Sequence, residues 1–201
     1  MIEIVGVAAA LGLVFNAAPG AVFTESLRRG MHGGFRPAFA VQAGSLAGDA
    51  VWAVLGLAGV GGLMMLPAVR VPLTVVGCLV LAALGVQALR GGGDAAPTQA
   101  QAGALAAGAA MSLGNPWNVV YWSGTAGAVA ALVGTSPTVA QLTAFLAGFM
   151  TASIAWCVVC AGGIALLRRA LPPVALRIVE VLCGVVLLVL AGLLLVRALT
   201  A

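Results

Sequence analysis

VQAGSLAGDAVWAVLGLAGVGG, residues 41–62, reads as part of a membrane-crossing helix with one acid, Asp49, about halfway along it. An uncompensated charge at the centre of a bilayer costs roughly 2.5 kcal/mol or more, so an acid at that depth faces the protein interior and marks a candidate site. The bland alternative is a protonated carboxyl hydrogen-bonded to a neighbouring helix. Four other acids have simpler explanations. Glu3 is terminal and Asp94 lies in a polar stretch, while Glu25 has Arg28 and Arg29 at i+3 and i+4, and Glu180 has Arg177 at i−3. Asp49 is the one deep acid without an arginine within a turn.

Composition sets the class around that helix. With 63% hydrophobic and 7% charged residues among 201, the chain is an all-α integral membrane protein rather than a soluble domain. The net charge of +4 comes from arginines in connections beside apolar runs, which implies orientation in a membrane and no nucleic-acid partner. Cys78, Cys157, Cys160 and Cys183 all lie in apolar runs, where free cysteine packs as a small hydrophobe.

Six helices follow in order, at about 4–26, 37–65, 73–89, 104–133, 138–167 and 174–197. The polar stretch GGGDAAPTQAQAG, 91–103, divides residues 1–90 from 104–201, three helices to each half. The first segment carries Glu3 and no arginine ahead of its apolar run, which argues against a cleaved signal peptide. Pro19 cannot bond the carbonyl of Phe15, and Gly20 beside it has no side chain, so the first helix should kink or break there. Residues 25–36 read as a short basic turn with a solvated His32. Asn115-Pro116 interrupts the fourth helix in the same way.

The halves are also alike. A shift of 104 positions lays Gly44, Trp52 and Gly59 on Gly148, Trp156 and Gly163, and Asp49 on Ser153. An odd number of crossings per half turns the second copy upside down, giving two inverted three-helix repeats with broken helices at corresponding places. Secondary transporters use that plan, with the breaks at a central binding site. Gly44-xxx-Gly48 is a close-contact motif for a bundle or for an interface between two copies in a homo-oligomer. Trp52, at i+3 from Asp49, either packs or joins the carboxyl in receiving an ammonium group. Asn16 and Asn115, beside the breaks, either bond substrate or cap freed carbonyls. Trp117, Tyr121 and Trp122 line a pathway or sit at headgroups. Cys157 and Cys160 share a helical face, where packing is the simpler role.

NAAPGAVFTESLRRGMHGGFRPAFAVQAGSLAGDAVW, 16–52, resembles the first two helices of the lysine exporter (LysE/RhtB) family of amino-acid translocators. Pro19-Gly20, Gly30, Gly34, Gly44, Gly48 and Asp49 carry the likeness, with ALGVQALR, 83–90, and GNPWNVVYW, 114–122. Two residues depart from the family pattern. Ala21 stands where a second proline is usual, and Trp117 where lysine commonly follows asparagine-proline; losing that cation changes what anionic group the pathway can hold. The resemblance implies an inner-membrane secondary transporter, not an enzyme, that exports amino acids or similar small metabolites, with proton antiport and no cofactor or metal. Its site would be Asp49, Asn16, Pro19, Gly20, Asn115, Pro116 and Trp52, with Gly44 and Gly48 in helix packing and lipid around it. A membrane thiol-disulfide carrier is the enzyme-class rival, but it needs cysteines beside the prolines of the first and fourth helices; a non-transporting scaffold is the third reading. Arg28, Arg29, Arg36, Arg90, Arg168, Arg169 and Arg177 fall on one side, against Arg70 and Arg197 on the other. Positive loops stay in the cytoplasm, so both termini should lie outside it.

Overall fold

A computed structural model describes residues 1–57, 66–90, 97–133 and 137–200. Asp94, Gly59 and the expected end of the second helix beyond 57 lie outside the described residues, as do 91–96 of the expected linker. The described residues form eight helices: α1 Ile2–Ala17, α2 Ala21–Gly33, α3 Phe35–Leu57, α4 Pro67–Arg90, α5 Pro97–Leu113, α6 Pro116–Val133, α7 Val139–Ala170 and α8 Pro173–Thr200. Proline opens four of them, a position where its missing N–H costs nothing. Thr138 and Gln141 close a reciprocal capping box at the start of α7.

Phe35–Leu57, Val71–Arg90, Val139–Ala170 and Pro173–Val196 are each long and apolar enough to cross a membrane. α1 and α2 make a fifth crossing if taken together, although they meet at 63°. The chain is a multi-pass, all-helical membrane protein.

The expected breaks at Pro19-Gly20 and Asn115-Pro116 are present, and it is the helix bounds around them that differ from the reading of the sequence. The expected first helix is interrupted at 18–20, where Ala18 and Gly20 are extended, and it resumes as α2 through Gly33. The stretch expected to be a basic turn is therefore mostly helix. Glu25, Arg28 and Arg29 stand at helical spacing and pair with one another along α2, and the turn shrinks to Gly34, whose φ of +77° suits glycine. The segment expected as the fourth helix, 104–133, is two helices, α5 of 17 residues and α6 of 18, and α5 starts at Pro97. α4 likewise begins before 73 and takes in Pro67 and Pro72.

Several helix pairs approach closely through glycine, where two backbones can meet without side chains between them. In the α3–α5 pair, a β-carbon on Gly44 would collide with the Leu105 carbonyl, and one on Gly108 with the Val41 carbonyl. In the α1–α7 pair, β-carbons on Gly12 and Gly148 would lie 2.7 Å from the carbonyl oxygens of Phe149 and Val5. Gly85 and Gly184 face each other between α4 and α8, with 3.0 and 3.1 Å to the opposing carbonyl. An apolar core of Trp52, Trp122, Phe145 and Phe149 fills the space between α3, α6 and α7.

Candidate functional site

The two breaks face one cavity of about 670 Å³, within the usual range for a small-molecule site. Pro19, Gly20 and Asn16 line it from the α1–α2 break, and Gly114, Asn115 and Asn118 from the α5–α6 break. Asp49 reaches it from the middle of α3, and its residue exposure is only 1%.

Neutral groups hold Asp49 in place. Its Oδ1 accepts a bond of 2.6 Å from the Ser112 hydroxyl and one of 2.7 Å from the Asn118 amide. Asn118 also donates to the Ser112 carbonyl at 3.2 Å, and the Trp52 indole donates to that same carbonyl at 3.1 Å. Ser112 thus serves α3 and α6 together. Oδ2 receives no hydrogen bond from any described residue, so half of the carboxyl's accepting capacity is left to the cavity.

The two helix starts at the breaks are unequal. At α6, Asn115 Oδ1 accepts from the Trp117 N–H at 3.1 Å, which caps the helix from within. At α2, Gly20 is the cap residue and no side chain bonds the first N–H groups. Ala21, Val22 and Phe23, which carry those groups, border the cavity.

Of the residues marked from the sequence, the cavity brings together Asp49, Asn16, Pro19, Gly20 and Asn115. Asn16 donates to Ser153 Oγ and to the Gly12 carbonyl, both at 2.8 Å. Pro116 starts α6 behind Asn115, and Trp52 is buried against α5 outside the lining. Gly44 and Gly48 sit at the α3–α5 crossing, where a β-carbon on Gly48 would lie 2.6 Å from Ser112 Oγ. Trp117 and Tyr121 line the cavity, whereas Trp122 is in the core. Cys157 and Cys160 are buried and free, with Gln42 donating to Cys160 Sγ at 3.4 Å. Reading by residue missed Ser112, Asn118, Gln42 and Ser45. Asn118 carried a signal, since it lies one helical turn beyond Asn115 in Asn-Pro-Trp-Asn.

Away from the cavity, a second polar region joins α2, α4 and α8. Glu25 is fully buried and accepts from Arg28 at 2.7 Å and from Arg29 at 2.6 Å, and Arg28 also donates to Gln87 at 3.3 Å. Glu180, 1% exposed, is paired with Arg177, which in turn donates to the Leu89 carbonyl at 3.0 Å. His32 was expected to be solvated in a turn. Its side chain is 52% exposed, but it occupies the last turn of helix α2 rather than a connecting turn, with Nε2 3.0 Å from Glu180 Oε1, within ion-pair range but not aligned as a hydrogen bond.

Residues 13–198 match the LysE type translocator family. The chain belongs to that family. It is 48% identical over 198 residues to the chemotactic transduction protein ChpE of Pseudomonas aeruginosa, covering 96% of this chain and 98% of that one. It is 25% identical over 152 residues, 73% of each chain, to the putative amino acid efflux protein YcgF of Bacillus subtilis. No solved structure matches. As a LysE-family member the protein is a membrane transporter, so it takes a small-molecule substrate and works embedded in lipid.

Proposed function

We propose that this LysE-family protein exports amino acids or similar small metabolites across the cytoplasmic membrane in exchange for protons, with Asp49 binding proton and substrate ammonium in turn. One observation carries the reading: a buried carboxyl with a free oxygen stands in the cavity where two helix breaks meet. A group that holds either a proton or a cation, never both at once, is what exchange requires. The uncapped start of α2 supplies N–H groups and a partial positive charge for the substrate's carboxylate at the other end. None of the four cysteines borders the cavity, which gives the thiol-disulfide alternative no support there.

In this reading six crossings form two inverted repeats, with the first and fourth crossings broken. Paired contacts support it. The α3–α5 and α1–α7 crossings exchange under the repeat, and Gly44 and Gly148, one in each, are 104 positions apart. Asp49 bonds Ser112 just before the second break, while its counterpart Ser153 bonds Asn16 just before the first.

The test is accumulation of labelled amino acids in proteoliposomes under an imposed pH gradient. Wild-type protein should accumulate substrate and stop when a protonophore collapses the gradient; uptake indifferent to the gradient removes the proton from the mechanism. For orientation, a C-terminal phosphatase fusion, active only after export, should be active. An inactive phosphatase with an active cytoplasmic reporter at the same position reverses the topology. A second reading, that the cavity senses its ligand rather than moving it, draws on the name of the Pseudomonas relative; ligand binding without flux would select it.

A further inference from the structure

The side of the cavity built by α4 and α8 is wholly apolar. The cavity's polar members, among them Asn16, Asp49, Ser112, Asn115, Asn118 and the Tyr121 hydroxyl, come from α1, α3 and the helices and break at 112–121. The contribution of α4 and α8 is different: Gly77, Leu81, Leu190, Leu193 and Leu194, with no polar side chain at all. Leu190 and Leu194 pack on a buried cluster containing Leu81, Met111 and Leu187, so the apolar wall is backed by core and held in shape. Among the described lining residues Asp49 is the sole acid, and there is no arginine, lysine or histidine.

We propose that the wall formed by α4 and α8 selects substrates with an uncharged, apolar side chain. The inference rests on the transport reading above and narrows the substrate of that same site. With its ammonium at Asp49 and its carboxylate toward the start of α2, an amino acid can lay its side chain on Leu81, Leu190, Leu193 and Leu194, in a lining that elsewhere adds Leu11, Val14, Phe15 and Met111. A second ammonium or guanidinium placed there meets no carboxylate, and a second carboxylate meets no cation. Either would leave a charge desolvated and unpaired, the costliest outcome for a buried group. A side chain that is merely absent, as in glycine, leaves the wall uncovered and loses the area-dependent gain of an apolar fit.

Counterflow with purified full-length protein in proteoliposomes tests this. Vesicles are loaded with one unlabelled amino acid, and entry of that same amino acid in labelled form is followed for each member of the panel in turn. Internal leucine, methionine or phenylalanine should drive entry at least about tenfold faster than lysine, arginine, glutamate or glycine at equal concentration, tenfold being the ratio given by roughly 1.4 kcal/mol. Leu193→Asp should then gain lysine-driven exchange, a change that damage to the fold cannot produce. Lysine or glutamate matching leucine in the wild type overturns the proposal, as does a Leu193→Asp protein that keeps the wild-type preference. If correctly inserted wild-type protein exchanges none of the panel, the amino-acid transport reading fails, and the side-chain preference falls with it. Exchange of charged amino acids alone sinks only the preference.

Discussion

The buried acids of this protein live under two opposite rules. Glu25 is saturated by Arg28 and Arg29, Arg28 also tying α2 to Gln87 on α4, and Glu180 is held by Arg177 beside His32. Asp49 has only a hydroxyl and an amide, both on one oxygen. A carboxylate between guanidiniums has its charge fixed, because removing it strands the cations in the interior. A carboxyl among neutral donors can exchange its proton for a cation and leave no partner stranded. The first arrangement suits a structural tie, the second a binding site.

The largest effect should come from breaking the tie. Glu25→Gln leaves Arg28, 4% exposed, without its charged partner, at a cost of about 3–5 kcal/mol, the loss seen when one member of a buried pair is removed. Thermal unfolding in detergent should shift down by roughly 10 °C, at about 2–4 °C per kcal/mol for a chain of this size; an unchanged midpoint means the cluster contributes no stability. Asp49→Asn should do the reverse. It keeps the shape and the midpoint, while gradient-driven accumulation falls by about 100-fold, the lower range for loss of a proton-transferring group. Wild-type accumulation with unaltered pH dependence would leave Asp49 as a buried, neutral packing acid.

Gly48→Ala sharpens the contrast by disturbing Asp49 indirectly. The new methyl sits 2.6 Å from Ser112 Oγ, so either the α3–α5 crossing opens or the hydroxyl swings off the carboxyl. Overpacking of this kind costs about 1–3 kcal/mol, and transport should fall with Asp49 intact. Gly163→Ala, in the same kind of helix but with nothing within 4 Å of the new methyl, is the control and should not destabilise. Full transport by Gly48→Ala would show that the Ser112 bond does not position Asp49. The smallest effect belongs to Ser153→Ala. It removes the 2.8 Å bond from Asn16 at the position 104 residues beyond Asp49, about 1 kcal/mol, with transport within about twofold of wild type because serine carries no exchangeable charge here. A loss as deep as that of Asp49→Asn would place Ser153 in the coupling machinery.

Much of this was legible in residue order, because it depends on neighbours within a turn. The arginine partners of Glu25 and Glu180 lie three or four positions away, so helical spacing alone joins them. The breaks at Pro19-Gly20 and Asn115-Pro116 follow from a missing N–H, and the membrane class from the scarcity of charge. The length of the first helix was misjudged because arginines and glycines resemble a loop in composition, and only their mutual pairing on α2 reveals a helix.

Sequence by itself determined that an acid without an arginine would lie deep in a membrane helix, and that two helices would be interrupted. Tertiary structure decided who its partners are. Ser112 and Asn118 stand 63 and 69 positions from Asp49, and they reach it because glycine lets α3 and α5 approach to backbone contact. The union of both breaks in one cavity, the apolar face that α4 and α8 turn toward it, and the meeting of His32 with Glu180 are likewise products of helix crossing. Crossings depend on which faces of distant helices fit together, and linear spacing within any one helix does not encode that.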